Sequence, residues 1–148
     1  MILKKFLDRV SEISFAKLDK VGGDAQKLCS PFQEIAIVTS AQGLIDNGGL
    51  EHFFTWTFPG APSYTFLANC YRKIGAVNVA DTIEAACAYF GTEHPETNLA
   101  LRLEFIASLP SDCSHEFSKI STRICGDSSV WTCLENYVEH YRSEIEAD

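Results

Sequence analysis

The stretch that decides the fold lies about a third of the way along the chain and reads Asn47-Gly48-Gly49-Leu50-Glu51-His52-Phe53-Phe54. Two adjacent glycines allow a chain to leave a helix through positive φ. Leu50, Phe53 and Phe54 follow at the i, i+3 and i+4 spacing, which places them on one side of a single helical turn. The stretch therefore predicts a helix end, with Gly48 or Gly49 at positive φ, and then a short apolar plug in a core.

On both sides of this stretch the apolar residues recur with the period of an α-helix. Glycines, prolines and capping residues bound each periodic segment. The predicted helices run from Leu3 to Val21, Ser30 to Asn47, Ser63 to Ile74, Asn78 to Phe90, Asn98 to Leu109, Phe117 to Ile124 and Asp127 to Ile145. The sequence thus predicts an all-α, single-domain bundle of about seven helices over residues 1–148.

Two starts in this scheme depend on capping residues. Ser30 is expected to cap the second helix, with Pro31 at its first position and Gln33 completing a capping box. Asn78 is expected to cap the fourth helix, with Asp81 three residues later.

The segment 98–109 has two readings. Its apolar residues alternate as in a β-strand: Leu99, Leu101, Leu103 and Phe105. Its composition favours a helix, and Pro95 and Pro110 bracket it at positions typical of helix boundaries. We expect a helix, and the strand is the alternative.

The charge is unevenly distributed along the chain. Residues 1–27 have six Lys or Arg against four Asp or Glu, and residues 28–148 have six against sixteen, which together give the net charge of −8. Such an acidic balance argues against direct binding of nucleic acid, since phosphate recognition needs cationic side chains. A basic protein partner is the expected complement.

The C-terminal helix has the densest acidic cluster, six carboxylates against one arginine from residue 127 onward. Like charges one turn apart cost about 0.2–0.5 kcal/mol, and the helix dipole disfavours anions near a C-terminus. Neighbouring carboxylates on a helix lie about 5–6 Å apart, within the range of phosphate spacings. We therefore predict a partner-binding surface at Glu135, Glu139, Glu144, Glu146 and Asp148, with a merely solvated face as the alternative.

Cysteine usage and hydropathy indicate the compartment. The chain has six cysteines without any C-x-x-C spacing, so we expect free thiols and neither disulfides nor a metal site. Residues 1–9 lack the apolar region of a secretory signal, and no apolar run reaches about 18 residues. We expect a cytoplasmic protein without a membrane span, and no motif calls for a cofactor.

An enzyme of unrecognised type is the alternative function. It would use a cleft in which a carboxylate and the Cys113-x-His115 pair or the other histidines, His52, His94 and His140, converge. Residues two apart on a helix point to different faces, which argues against the Cys113/His115 pair. We therefore expect no enzymatic activity and no catalytic residue.

A homodimer is a further expectation from the loop after the plug. Trp56, Phe58 and Tyr64 flank a Pro-rich segment and exceed what one core covers. If they form a contiguous apolar patch, that patch favours self-association.

Residues 28–92 resemble a bacterial all-helical family grouped with the DNA-mimic proteins. The resemblance rests on the Asn47–Phe54 stretch, on the helix that ends in Ile74-Gly75-Ala76, and on the alanine-containing helix with Ala80 and Phe90. His52 replaces the usual Gln of that signature, and the loop Thr55–Pro62 departs from the family pattern. The resemblance implies an all-α fold and, as an expectation, a non-enzymatic DNA mimic that binds a basic DNA-binding protein.

Overall fold

The computed structural model describes residues 2–147, which contain eight α-helices, three single 3₁₀ turns and no β-strand. The helices are α1 (Ile2–Lys20), α2 (Phe32–Phe53), α3 (Tyr64–Lys73), α4 (Val77–Cys87), α5 (Leu99–Ser108), α6 (Glu116–Ile124), α7 (Ser128–His140) and α8 (Arg142–Ala147). The 3₁₀ turns are Ala25–Lys27, Ala88–Phe90 and Pro95–Thr97. The predicted all-α class is confirmed, and the segment 98–109 is a helix.

Helix α2 lies at the centre of the bundle and contacts α1, α3, α6 and α7. Its buried side chains include Ile35, Val38, Ala41 and Ile45, all of them completely inaccessible to solvent. These residues follow the 3.6-residue period, and α2 has further buried side chains between them, since four helices surround it. The single core therefore forms around α2.

The glycine pair breaks α2 near its end, and the plug follows. Gly48 (φ −168°, ψ 18°) and Gly49 (φ 73°, ψ −171°) have non-helical torsion angles, and the chain then resumes one helical turn to Phe53. Leu50, Phe53 and Phe54 are fully buried. The expected positive φ is thus at Gly49, where the N–H of Leu50 donates to Ser121 Oγ of α6 over 2.8 Å.

Aromatic rings from several helices surround Phe54. Its ring centroid lies 5.1 Å from Tyr64, 4.9 Å from Phe90 and 6.1 Å from Phe117. The plug therefore packs against α3, against α6 and against the 3₁₀ turn at Ala88–Phe90.

Gly49→Ala is expected to destabilise the protein by about 2 kcal/mol or more. The torsion angles of Gly49 belong to a region that only glycine adopts readily, and a Cβ there would clash with Ser121 Oγ. Urea unfolding followed by circular dichroism measures the loss.

At Gly48 the backbone φ is extended, which any residue can adopt. The expected obstacle to Gly48→Val is therefore steric, because the new Cβ would lie 2.7 Å from His52 Cβ.

Gly43→Ala, in contrast, is expected to raise the free energy of unfolding by about 0.5–1 kcal/mol. Gly43 lies within α2 on the solvent side, and a Cβ at this position meets no atom within 4 Å. The close helix contact that a mid-helix glycine suggests is therefore not present. The same urea titration checks the gain, and an unchanged or lowered midpoint would contradict it.

Two predicted helix starts are wrong. Helix α2 begins after Pro31 without a side-chain cap; Ser30 Oγ donates instead to Glu34 Oε1 (2.5 Å), and Gln33 Nε2 donates to the Ala25 and Leu28 carbonyls (both 3.0 Å). Helix α4 begins at Val77, one residue before the expected cap Asn78. There Gly75 (φ 92°) reverses the chain, so that the N–H of Ala76 donates to Tyr71 O (2.9 Å).

The last predicted helix is divided in two at Tyr141. Tyr141 has φ −98° and ψ 11°, and α8 starts at the next residue. Arg142 stacks over the Phe6 ring of α1 at 3.7 Å from its centroid, and Glu146 of α8 pairs with Arg9 of α1. The apolar period of the sequence runs on through this break because Ile145 of α8 is also buried in the core.

Candidate partner-binding surfaces

The C-terminal carboxylates lie beside cations. Glu139 accepts hydrogen bonds from Arg142 through both carboxylate oxygens, the shortest at 2.7 Å, and these hydrogen bonds lower the pKa of Glu139. Glu146 lies 3.2 Å from both Arg9 and Arg142. Two of the five predicted partner-binding carboxylates are therefore neutralised locally, by an arginine of α1 as well as by the single arginine of their own segment.

The other members of that predicted set are dispersed. Glu144 lines a cavity that also contains Lys17, Lys20 and Lys27. Glu135 lines a different groove, between α1 and α7, together with Lys4, Asp8 and Glu12. Asp148 lies outside the described residues. The predicted C-terminal carboxylates therefore lie on more than one surface. Each of these surfaces also has lysine or arginine side chains of α1, because α1 packs along α7.

A second acidic region, from residue 74 to residue 118, is free of exposed Lys and Arg. This segment has seven acidic residues and one arginine: Asp81, Glu84, Glu93, Glu96, Glu104, Asp112, Glu116 and Arg102. Asp81 and Glu84 pair with Arg72, and Glu116 with Lys119, both from just outside the segment. The exposed carboxylates of Glu93 and Glu104 have no Lys, Arg or His nitrogen within 4 Å among residues 2–147.

The arginine of this segment is withdrawn from the surface. Arg102 is completely buried and satisfies its guanidinium with protein acceptors: Phe54 O (2.8 Å), Pro95 O (2.8 Å), Glu96 O (3.0 Å), Thr57 Oγ1 (2.6 Å) and Trp56 O (3.4 Å). It therefore joins α5 to the segment after the plug and to the Pro95–Thr97 turn. Its guanidinium is therefore unavailable for direct contact with a partner.

Helix α5 combines these carboxylates with exposed apolar side chains. Arg102 is its only buried residue, whereas Leu99 and Leu103 are 42% and 43% exposed. Leu99, Leu103 and Ala107 lie one turn apart on the outer side of the helix, with Glu104 next to them. Leu99 and Leu103 thus give the outer side of α5 a small apolar area beside Glu104.

Asp46 shows that not every carboxylate is available to a partner. Its Oδ1 accepts from Gly126 N (2.8 Å) and Gln42 Nε2 (2.7 Å), and its Oδ2 accepts from Trp131 Nε1 (3.1 Å). Tyr71 donates in turn to Gln42 Oε1 (3.1 Å). This network connects α2 with α3 and with the α6–α7 turn, so Asp46 has a structural role that the sequence pattern did not indicate.

Three of the four histidines interact within their own segments. His94 Nδ1 lies 3.1 Å from Glu96 Oε1, His115 Nδ1 accepts from Ser118 N at the start of α6 (3.1 Å), and the His140 ring contacts Tyr141. In five surface cavities of the described residues no histidine is among the lining side chains. The convergence of histidines that the enzyme hypothesis requires is not seen in these cavities.

The cysteines are free thiols in the structure. Burial raises the pKa of Cys70 and of Cys87 to about 12, so both behave as small apolar side chains. Cys113 and Cys125 are exposed and line a shallow cavity beside Gly49, Glu51 and Ser121. In residues 2–147 no group of three or more His, Cys, Asp or Glu side chains is arranged to hold a metal ion.

The apolar patch expected after the plug is smaller than the sequence suggested. Phe58 and Tyr64 are buried in the core, whereas the Trp56 side chain is 53% exposed. Across residues 2–147, no helix has both the length and the apolar character needed to cross a bilayer.

One comparison with known proteins identifies the family. The model of a family described as DMP19-like protein matches residues 26–141, which include the glycine pair, the plug and the acidic segment 74–118. A search among curated proteins and a search among solved structures gave no match. The match extends well beyond the 28–92 region of the initial resemblance, and Glu144 and Glu146 lie outside it. Because it spans more than half of the sequence, the chain belongs to the DMP19-like protein family.

Proposed function

We propose that this protein is a non-enzymatic, acidic interaction protein that binds a basic protein, and that this partner is a DNA-binding protein whose DNA the carboxylates imitate. Membership of a family grouped with the DNA-mimic proteins supports the proposal, and so does the net charge of −8. No cofactor or metal enters this function.

The observation that carries the proposal is the absence of exposed Lys and Arg from residues 74–118. Seven carboxylates against one buried arginine give this segment a negative potential, although Arg72 and Lys119 from outside it pair with three of the seven. Glu93 and Glu104 are exposed, and Leu99 and Leu103 add apolar area beside Glu104. Mixed apolar and acidic contacts of this kind fit a partner surface that presents lysine, arginine and apolar side chains.

The C-terminal set remains a second proposed surface for the same partner. Glu135, Glu139, Glu144, Glu146 and Asp148 are numerous enough to contribute, but Arg9, Arg142 and the neighbouring lysines reduce their field. The two surfaces therefore differ in expected strength, and charge-neutralising variants distinguish them.

Binding to the basic partner is expected to be strongly salt-sensitive. Affinity capture from the native cell extract at about 50 mM and at about 500 mM NaCl, followed by mass spectrometry, should retain a basic protein only at low salt, because screening shortens the reach of exposed charges. Duplex DNA should compete with this protein for the captured partner. Salt-independent capture, or the absence of any basic partner, would reject the mimicry.

The surface is assigned by two matched double variants measured against the purified partner. Glu93→Gln with Glu104→Gln should weaken binding about tenfold at low salt, since each rim carboxylate contributes on the order of 0.5–1 kcal/mol. Glu139→Gln with Glu146→Gln removes two carboxylates that Arg142 already neutralises, so its effect should be under about threefold. The reverse order of effects would assign the function to the C-terminal surface.

A further inference from the structure

The bundle contains an apolar cavity that the proposed function does not use. It has a volume of about 340 Å³ and lies between α1, α2 and the segment after the plug. Leu18, Ile37, Leu44 and Phe58 form apolar walls, Trp56 lies at the exposed side, and Ser40 contributes a hydroxyl. No ionisable side chain lines it, in a chain where 22% of the residues are charged.

The walls of the cavity are held in place by the core. Ile37 is 2% and Phe58 is 9% exposed, and the Phe58 ring lies 5.9 Å from the Phe53 ring of the plug. Arg102 donates to Trp56 O and Thr57 Oγ1, while Gln26 Nε2 donates to Gly60 O (3.3 Å) on the other side of the loop. The cavity is therefore preformed, because both ends of the loop that closes it are anchored to other elements.

Size and polarity define what fits. An apolar cavity of about 150 Å³ is large enough for benzene, so 340 Å³ accommodates a ligand of roughly two to three rings. An anion would find no cation in the lining and a cation would find no carboxylate, so a charged ligand would lose its hydration without compensation. The Trp56 and Phe58 rings provide aromatic surface, and the Ser40 hydroxyl provides one hydrogen-bonding group.

We propose that this cavity is a binding site for an uncharged aromatic ligand of two to three rings. The site lies on α1, α2 and the loop after the plug, whereas the acidic segment 74–118 contains none of its lining residues. Ligand binding is therefore separate from the recognition of a basic partner, and either one stands without the other.

The test uses a matched pair of fluorescent probes. N-phenyl-1-naphthylamine is neutral, and 1-anilinonaphthalene-8-sulfonate has the same ring system with an added negative charge. The neutral probe should bind with one-to-one stoichiometry, gain fluorescence and raise the melting temperature, whereas the sulfonate should bind at least about tenfold more weakly. Equal binding of both probes would show surface adsorption and overturn the proposal.

Two variants of α2 locate the binding. Ser40→Leu fills the cavity and should weaken binding of the neutral probe at least about tenfold. Gly43→Ala lies on the same helix but outside the cavity lining, so it should leave the affinity for the probe unchanged. Circular dichroism and urea unfolding verify that both variants fold. Equal affinities of the two variants, or no probe binding by the folded parent protein, would overturn the assignment.

The remaining alternative is that a second copy of the chain fills the cavity. Only Trp56 of the three aromatic residues expected to favour a homodimer is exposed, so light scattering at tens of micromolar should return the 16.4 kDa monomer instead. A dimer that Trp56→Ala converts to a monomer would show that the second copy occupies the site, and the ligand proposal would then be wrong.

Discussion

Arg102→Ala is expected to lower the free energy of unfolding by about 3–5 kcal/mol. The parent guanidinium is fully buried and donates to four backbone carbonyls and one hydroxyl. Alanine would leave the Phe54, Pro95 and Glu96 carbonyls without this donor in a buried site. It would also create a cavity where the largest fully buried side chain of residues 2–147 had been.

Urea unfolding of Arg102→Ala against Arg123→Ala measures this effect. Arg123 is an exposed arginine of α6, so its removal should change stability by less than about 0.5 kcal/mol. Arg102→Met, which restores apolar volume without the donors, should recover only part of the loss. Equal urea midpoints for the two alanine variants would show that the buried hydrogen bonds of Arg102 make no net contribution to the free energy of unfolding.

Phe54→Ala is expected to cost about 3–5 kcal/mol, a large share of a typical domain stability of about 5–15 kcal/mol. The Phe54 side chain has no exposed area and its ring meets four others, in Phe53, Tyr64, Phe90 and Phe117. The cavity left by alanine would lie where α3, α6 and the 88–90 turn meet, and the rigid bundle can close it only partly.

Trp56→Ala is the matched control, since Trp56 lies two residues away and is 53% exposed. It should cost less than about 1 kcal/mol under the same conditions. If Phe54→Ala instead unfolds at the parent's urea concentration and abolishes partner binding, the plug is a recognition surface. The structural interpretation of the Asn47–Phe54 stretch would then be wrong.

Local patterns in the sequence were sufficient for the architecture. Helical periodicity identified the segments that became α1 to α7, because each amphipathic helix buries one face whatever its neighbour is. The glycine pair and the spacing of Leu50, Phe53 and Phe54 predicted the broken helix and the plug, because both depend on backbone sterics and on residues within one turn. Helix starts at Phe32 and Val77 were missed because contacts with other segments replaced the side-chain caps.

The candidate surface depended on contacts between distant residues. The C-terminal carboxylates are an obvious cluster in the sequence, but α1 brings Arg9 to Glu146, 137 residues away. Arg102 reads as the polar residue of a helix, although its acceptors on Phe54 and Thr57 lie 48 and 45 residues earlier in the chain. The one signal in the sequence that the Arg102 side chain is buried was its position between leucines, in the largely apolar stretch Leu99–Phe105.

The sequence by itself determined the class of fold, the core residues around the plug and the overall negative charge, because each follows from residue identity and spacing over a few turns. Only the tertiary structure decided which charges face a partner, because helices distant in sequence neutralise some carboxylates and leave others exposed. Burial of Arg102 turns residues 74–118 into a surface without an exposed lysine or arginine. Coulomb interactions depend on distance in space, and that distance is set by the packing of α1 on α7 and of α5 on the plug's loop.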